Sequence, residues 1–152
     1  MAIFDAMFEF LDDGQLIGTD TTDYNAATAK ELDWINSGLE MGAGNPVWLN
    51  IRVGTTAYSG GTSVDFKLFA DDTSEGHDSN SLIVLASGAR TVGVLIAGAW
   101  VLRVPLPVDV DAERYLQIGA TFVGTVAAGS INAWLDHGPQ SSYDTQVSES
   151  NI

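Results

Sequence analysis

The chain has 152 residues, with 6 Lys and Arg against 20 Asp and Glu, a formal net charge of -14. Six scattered cations cannot supply the basic stripe that neutralises phosphates, and an anionic membrane surface would repel the chain, so nucleic acid and membrane are excluded as partners. The absence of Cys removes disulfides, thiolate catalysis and Cys-ligated metal sites, leaving an acidic protein with 45% hydrophobic residues, enough for one real core.

The first thirteen residues hold four carboxylates (Asp5, Glu9, Asp12, Asp13) and neither Lys nor Arg. That charge is wrong for a secretory leader, and no apolar run approaches ~18 residues, so the expectation is a soluble protein made and kept in a cytoplasm. Phe4, Met7, Phe8 and Leu11 have helical spacing, which allows a short N-terminal helix. Phe8 and Phe10 alternate with Glu9 and Leu11 equally well, which fits a strand. Residues 14–25 are polar and are expected to run over the surface.

Strand signals then dominate. Val47, Leu49, Ile51 and Val53 share one face, with Trp48, Asn50 and Arg52 on the other. Val64, Phe66, Leu68 and Ala70 alternate with Asp65, Lys67 and Phe69. Trp100, Leu102 and Val104 alternate with Val101 and Arg103. Leu116, Ile118, Ala120 and Phe122 alternate with Tyr115, Gln117, Gly119 and Thr121, and Ile131, Ala133 and Leu135 with Asn132, Trp134 and Asp136. Such alternation marks strands with one face on a core. Leu32–Ile35 and Ser81–Leu85 are weaker candidates, the second apolar enough for burial on both faces.

Turn chemistry separates these runs. Ser59-Gly60-Gly61-Thr62 reads as a hairpin-like connection, residues 71–80 as a polar loop, and Gly124 to Gly129 as a small-residue turn. Pro105 and Pro107 end a strand because neither can donate to a ladder. About eight short strands at these intervals predict an all-β fold, an antiparallel β-sandwich or jelly roll, over residues 1–137. Residues 138–152 form a polar tail without a cation, expected to be disordered or to order on a partner.

Catalytic signals are weak. His77 and His137 both fall in expected loops, and no nucleophile elbow, Walker loop or H-E-x-x-H helix occurs. Asp109, Asp111 and Glu113 read as solvated acids, with a hydrolase pair as the sharper alternative. Asp71, Asp72, Glu75 and Asp78 could meet calcium but lack EF-hand spacing. The expectation is therefore a protein that is no enzyme and takes no cofactor and no metal.

The aromatics carry more. Trp48, Phe69, Tyr115 and Trp134 all fall on the outward phase of their strands, where large rings indicate either an interface or cover by another segment. Arg52 and Arg103 share that phase and suit pairing with the surplus carboxylates. If Trp48, Tyr115 and Trp134 shared one exposed face, they could also stack on sugar rings, the mark of a carbohydrate-binding module.

One stretch is more specific. Arg103-Val104-Pro105-Leu106-Pro107, followed after an acidic turn by Glu113-Arg114-Tyr115-Leu116-Gln117-Ile118, resembles the phage capsid cement proteins of the Bbp16-like family. Gln117 stands where that family's pattern has Arg. The opening Ile3-Phe4-Asp5-Ala6 with Phe8, the Asn45-Pro46 entry into a long strand, and the Phe69-Ala70-Asp71-Asp72 strand end are similar to the family in layout. The resemblance implies a jelly-roll cement (decoration) protein on the outer surface of a tailed-phage head, assembled in the host bacterial cytoplasm. Its partners would be the major capsid protein and itself, as a homodimer in preference to a trimer. Phe4, Phe8, Trp48, Tyr115 and Trp134 are the expected interface residues. A head fibre or tail component is the nearest alternative role. Glu113 and Arg114 are expected to pair locally and fix their turn, in preference to contacting a partner.

Overall fold

Each period-two run becomes a strand because it must hide one apolar face while its backbone groups find partners in a neighbour. The computed structural model describes residues 8–20, 24–25, 30–33, 46–74, 81–107 and 113–137. These contain β1 (Glu9–Gln15), β2 (Gly18–Thr19), β3 (Tyr24–Asn25), β4 (Leu32–Asp33), β5 (Trp48–Val53), β6 (Ser59–Gly60) and β7 (Ser63–Asp71). They continue through β8 (Leu82–Ala86), β9 (Arg90–Thr91), β10 (Trp100–Pro105), β11 (Tyr115–Val123), β12 (Thr125–Ala128) and β13 (Ser130–Asp136). All ladders are antiparallel.

One sheet runs β1-β13-β5-β10. The second is built on β11 and β7, with β3 and β4 on the free side of β11 and β8 and β9 on the free side of β7. Setting aside β2, β6 and β12, which form a separate small sheet, and taking β3 with β4 and β8 with β9 as interrupted single strands leaves eight in chain order. The first sheet then holds the first, eighth, third and sixth, and the second holds the second, seventh, fourth and fifth. That order is the double Greek key of a jelly roll.

The two sheets face each other across one apolar cluster. Leu49, Ile51, Val53, Ile131, Ala133 and Leu135 come from the first sheet, and Val64, Phe66, Leu68, Ala70, Leu116, Ile118, Ala120 and Phe122 from the second. These are the inward residues that alternation predicts. The β7–β11 ladder is the longest, pairing Ser63 with Val123 through to Asp71 with Tyr115 without a register shift.

Several local expectations are corrected. The segment from Glu9 is strand, with both Phe10 and Leu11 buried because register shifts break the alternation on either side of Leu11. Residues 1–7, including Phe4 and Met7, lie outside the described residues. Leu16 is fully buried, so the stretch after β1 is anchored in the core rather than running over the surface. Ser59–Gly60 does not form a hairpin with β7, and Gly124 to Gly129 is not merely a turn. Both pair within a third small sheet, β2-β12-β6, whose Val126 joins the core. Leu82 and Ile83 of β8 are exposed, since β8 is an outer strand. Trp34, Ile35, Glu75, His77, Asp78, Asp109, Asp111 and the tail 138–152 lie outside the described residues.

Two polar features hold strand ends. Asp13, at a positive φ of 48°, accepts hydrogen bonds from the Thr55 amide at 2.7 Å and from the Thr55 and Ser130 hydroxyls at 2.5 Å. Its own amide donates to Asn132 Oδ1. This clamp ties β1 to β13 and to the chain leaving β5. Gly54 is required beneath it, because a Cβ there would strike the Asp13 carboxylate. At the end of β7, the buried Asp71 carboxylate accepts from the Ser81 hydroxyl at 2.5 Å and from the Thr73 amide and hydroxyl at 2.9 Å, closing the base of the 72–80 loop. These bonds, the Ser81 hydroxyl foremost, hold its pKa down to about 2.

Because the folded pKa of Asp71 is depressed, its stabilisation is present above the ordinary value of 3.8 and is lost as pH falls towards about 2. Urea midpoints taken between about pH 5 and pH 2 should fall less steeply in Asp71→Asn than in the wild type. Equal slopes would remove Asp71 from the acid response. A second prediction concerns Tyr58, whose ring packs on Gly129 and meets Phe66 edge-on at 5.6 Å. Its hydroxyl is buried without a hydrogen-bond partner among the described residues. Unsatisfied burial costs about 1–3 kcal/mol, so Tyr58→Phe should hold or raise stability by about 1 kcal/mol in thermal unfolding.

Candidate functional site

The outward face of the β1-β13-β5-β10 sheet brings an exposed indole, Trp100, together with two exposed arginines, Arg52 and Arg103. Its composition follows from register. Trp48 stands opposite Asp136 and Pro105, Asn50 opposite Trp134 and Arg103, and Arg52 opposite Asn132 and Trp100. Simple alternation would place Trp100 inward with Leu102 and Val104. A register shift between Trp100 and Leu102 instead tucks Val101 into the core and turns Trp100 outward beside Arg52. Such a bulge bends an edge strand and re-aims one side chain.

The result is a layered platform. Trp100 is 49% exposed, and its ring lies 5.8 Å from that of Trp134, tilted by 54°. Trp134 beneath it is 7% exposed, donates its indole N–H to Asp136 at 3.2 Å, and serves as support. Asn50, between Trp134 and Arg103 in register, is 1% exposed despite its outward phase. The guanidinium carbons of Arg103 and Arg52 lie 5.1 and 5.7 Å from the Trp100 ring centroid. Each such contact is worth about 0.5–1 kcal/mol at an exposed site. Arg52 also donates from Nε to the Gly98 carbonyl at 2.8 Å.

Next to the platform in the chain, a 3-10 turn over Val92–Val94 leads into a tight turn before β10. Gly98, at φ 78°, donates to the Val53 carbonyl, and the Ala99 amide donates to Ile96. Buried Leu95 anchors this connection, while Val94 and Ile96 on either side are 62% and 63% exposed. Two large aliphatic side chains are thus held out to solvent on pinned backbone immediately before Trp100.

The expected interface residues separate on this geometry. Trp48 is half-buried on the platform face, and Trp134 is covered by Trp100. Tyr115 lies on the other sheet, under the Arg114 guanidinium at 5.1 Å. Phe8 packs against the core. Phe69, expected outward, is buried. Arg52 and Arg103 turn to the indole rather than to carboxylates. Arg114 forms a two-bond pair with Asp33, at 3.1 and 2.8 Å, tying the start of β11 to β4, so its carboxylate partner lies across the ladder and is not the neighbouring Glu113. The aromatics proposed for sugar stacking therefore do not share one exposed face. The principal residue that alternation misses is Trp100, and its signal is the bulge, which pattern alone does not announce.

A family model, Bbp16, matches residues 12–135, from within β1 to within β13. The chain belongs to the Bbp16 family. The match takes in part or all of each of the eight jelly-roll strands and includes Arg52, Trp100, Arg103 and Trp134, and membership makes this a phage-associated structural protein. No curated protein matches the chain. No helix among the described residues is long and apolar enough to cross a membrane.

The platform predicts an uneven response to truncation. Trp134→Ala should cost about 3–5 kcal/mol in urea unfolding, as expected for a large buried ring. Trp100→Ala should cost only about 1 kcal/mol, since half its surface already meets water. Equal losses would make Trp100 a structural residue.

Proposed function

We propose that the protein is a non-enzymatic capsid cement, or decoration, protein that binds the outer surface of a tailed-phage head and stabilises the lattice of major capsid protein. The observation that carries the reading is the Bbp16 match over residues 12–135, nearly all of the jelly roll. The fold is compatible with other roles, since a jelly roll by itself specifies none. The surface supports the reading physically. A clip that holds a shell needs rigid faces, and here exposed Trp100, Val94 and Ile96 are presented on sheet and pinned turn rather than on loose chain. Many copies making modest contacts can together resist a load that no single contact would. A net charge of -14 keeps such a clip away from packaged nucleic acid.

The second partner in this reading is the chain itself, as a homodimer, with a trimer as the alternative stoichiometry. A carbohydrate-binding module receives less support, because Trp48, Tyr115 and Trp134 are divided between two sheets and Trp134 is covered. A head fibre or tail component remains the nearest rival.

The test is co-sedimentation of the purified protein with undecorated expanded heads, with unexpanded procapsids as control. Saturable binding to expanded heads at a fixed ratio to the major capsid protein is the expected result. Absence of binding to either shell would sink the cement reading, and a glycan panel would follow. Sedimentation velocity on the free protein should show a dimer.

A further inference from the structure

The chain has six Lys and Arg in total, and three of them converge on one short stretch of β10. Arg52 and Arg103 flank the Trp100 ring from the outer face. Arg90, on β9 of the opposite sheet, directs Nη2 to the carbonyl of Val101 at 3.4 Å, from across the seam between the sheets. All three arginines are exposed. None of them has a carboxylate partner among the described residues, whereas Arg114 pairs with Asp33. Strand β10 is the outermost strand of its sheet among the described residues, the position at which an added segment can pair.

From this arrangement we infer that the β10 edge is a docking site for an acidic, extended segment of a partner protein, whose carboxylates meet Arg103, Arg52 and Arg90 and whose apolar side chains cover Trp100 and Ile96. Charge complementarity selects that occupant. Guanidinium groups held against an indole and against carbonyls are preorganised, and their forks suit carboxylates. A basic rim would meet three arginines here, and an uncharged one would leave them unpaired. The surface elsewhere repels acidic chains, so this patch fixes both where and in which orientation such a segment binds. The identification of the partner with the head shell rests on the cement reading; the acidic chemistry of the segment does not.

Two arms test this. In the first, Arg103→Gln and Thr19→Glu, which shift net charge equally, are compared with wild type on expanded heads, with folding checked by circular dichroism. Arg103→Gln should bind about tenfold more weakly and Thr19→Glu within about twofold. Binding by the wild type should weaken as salt rises from about 0.05 to about 0.5 M. If the wild type binds heads and Arg103→Gln binds as well as Thr19→Glu, the docking site falls while the cement reading stands.

In the second arm, tryptophan fluorescence follows titration with synthetic peptides of alternating Glu and Val, Gln and Val, or Lys and Val. Only the Glu peptide should shift the emission, and Arg103→Gln should reduce that response. This arm decides the inference even if no head binding is found and the cement reading fails. Equal responses to Glu and Gln peptides would overturn it. So would conversion of a dimer to a monomer by Arg103→Gln, which would assign the patch to a second copy of the chain.

Discussion

The outer surface of this molecule is positioned by the apolar seam between its two sheets. Leu49, Ile51 and Val53 on one side and Phe66, Leu68, Ile118 and Phe122 on the other allow no slip, because moving any strand by one residue would turn its apolar set to water. The uninterrupted β7–β11 ladder gives one wall of the seam, and β13 paired to β5 gives the other. With inward residues fixed, the outward ones are fixed too. The positions of Arg52, Asn50 and Trp48 relative to Trp134 and Arg103 are consequences of that register, and the Trp100 platform inherits its rigidity from it.

Scarce positive charge is used in a patterned way. Arg114 serves the fold, bridging β11 to β4 through Asp33. Arg52, Arg90 and Arg103 gather around an exposed indole on an edge strand, although acids outnumber bases heavily. An edge strand is a hazard for unwanted pairing, and charged side chains are the usual guard. Here the guard and the candidate binding groups are the same residues, which lets one edge reject neutral strands while admitting an acidic one.

Much of the architecture was legible because burial imposes a period of two on every long strand. The inward residues of β5, β7, β11 and β13 follow directly from it, and so does the end of β10 at Pro105. What escaped was the work of irregular backbone. The bulge at Val101 reverses the phase of Trp100, and the shifts around Leu11 bury two consecutive residues of β1. The small sheet of β2, β12 and β6 was hidden for another reason, since Gly, Ser and Ala carry no alternation to read. The outward phase of Trp134 and Phe69 was correct or ambiguous in pattern but silent about what lies over them. Neighbours distant in sequence decide that.

Strands β1 and β13 lie side by side and antiparallel, with Glu9 opposite Trp134 and Gln15 opposite Ser130. The chain enters β1 and leaves β13 at the same end of the sheet. A force drawing those two points apart would open the ladder like a zipper, one rung at a time, with the first rung at Glu9 and Trp134. Forces applied along β5 and β10 would meet rungs loaded together in shear. The Asp13 clamp sits at the far end of the β1–β13 ladder, where a peeling front would arrive last. A clip of this design is strong when gripped by its sheet and weak when tugged by the segments flanking β1 and β13.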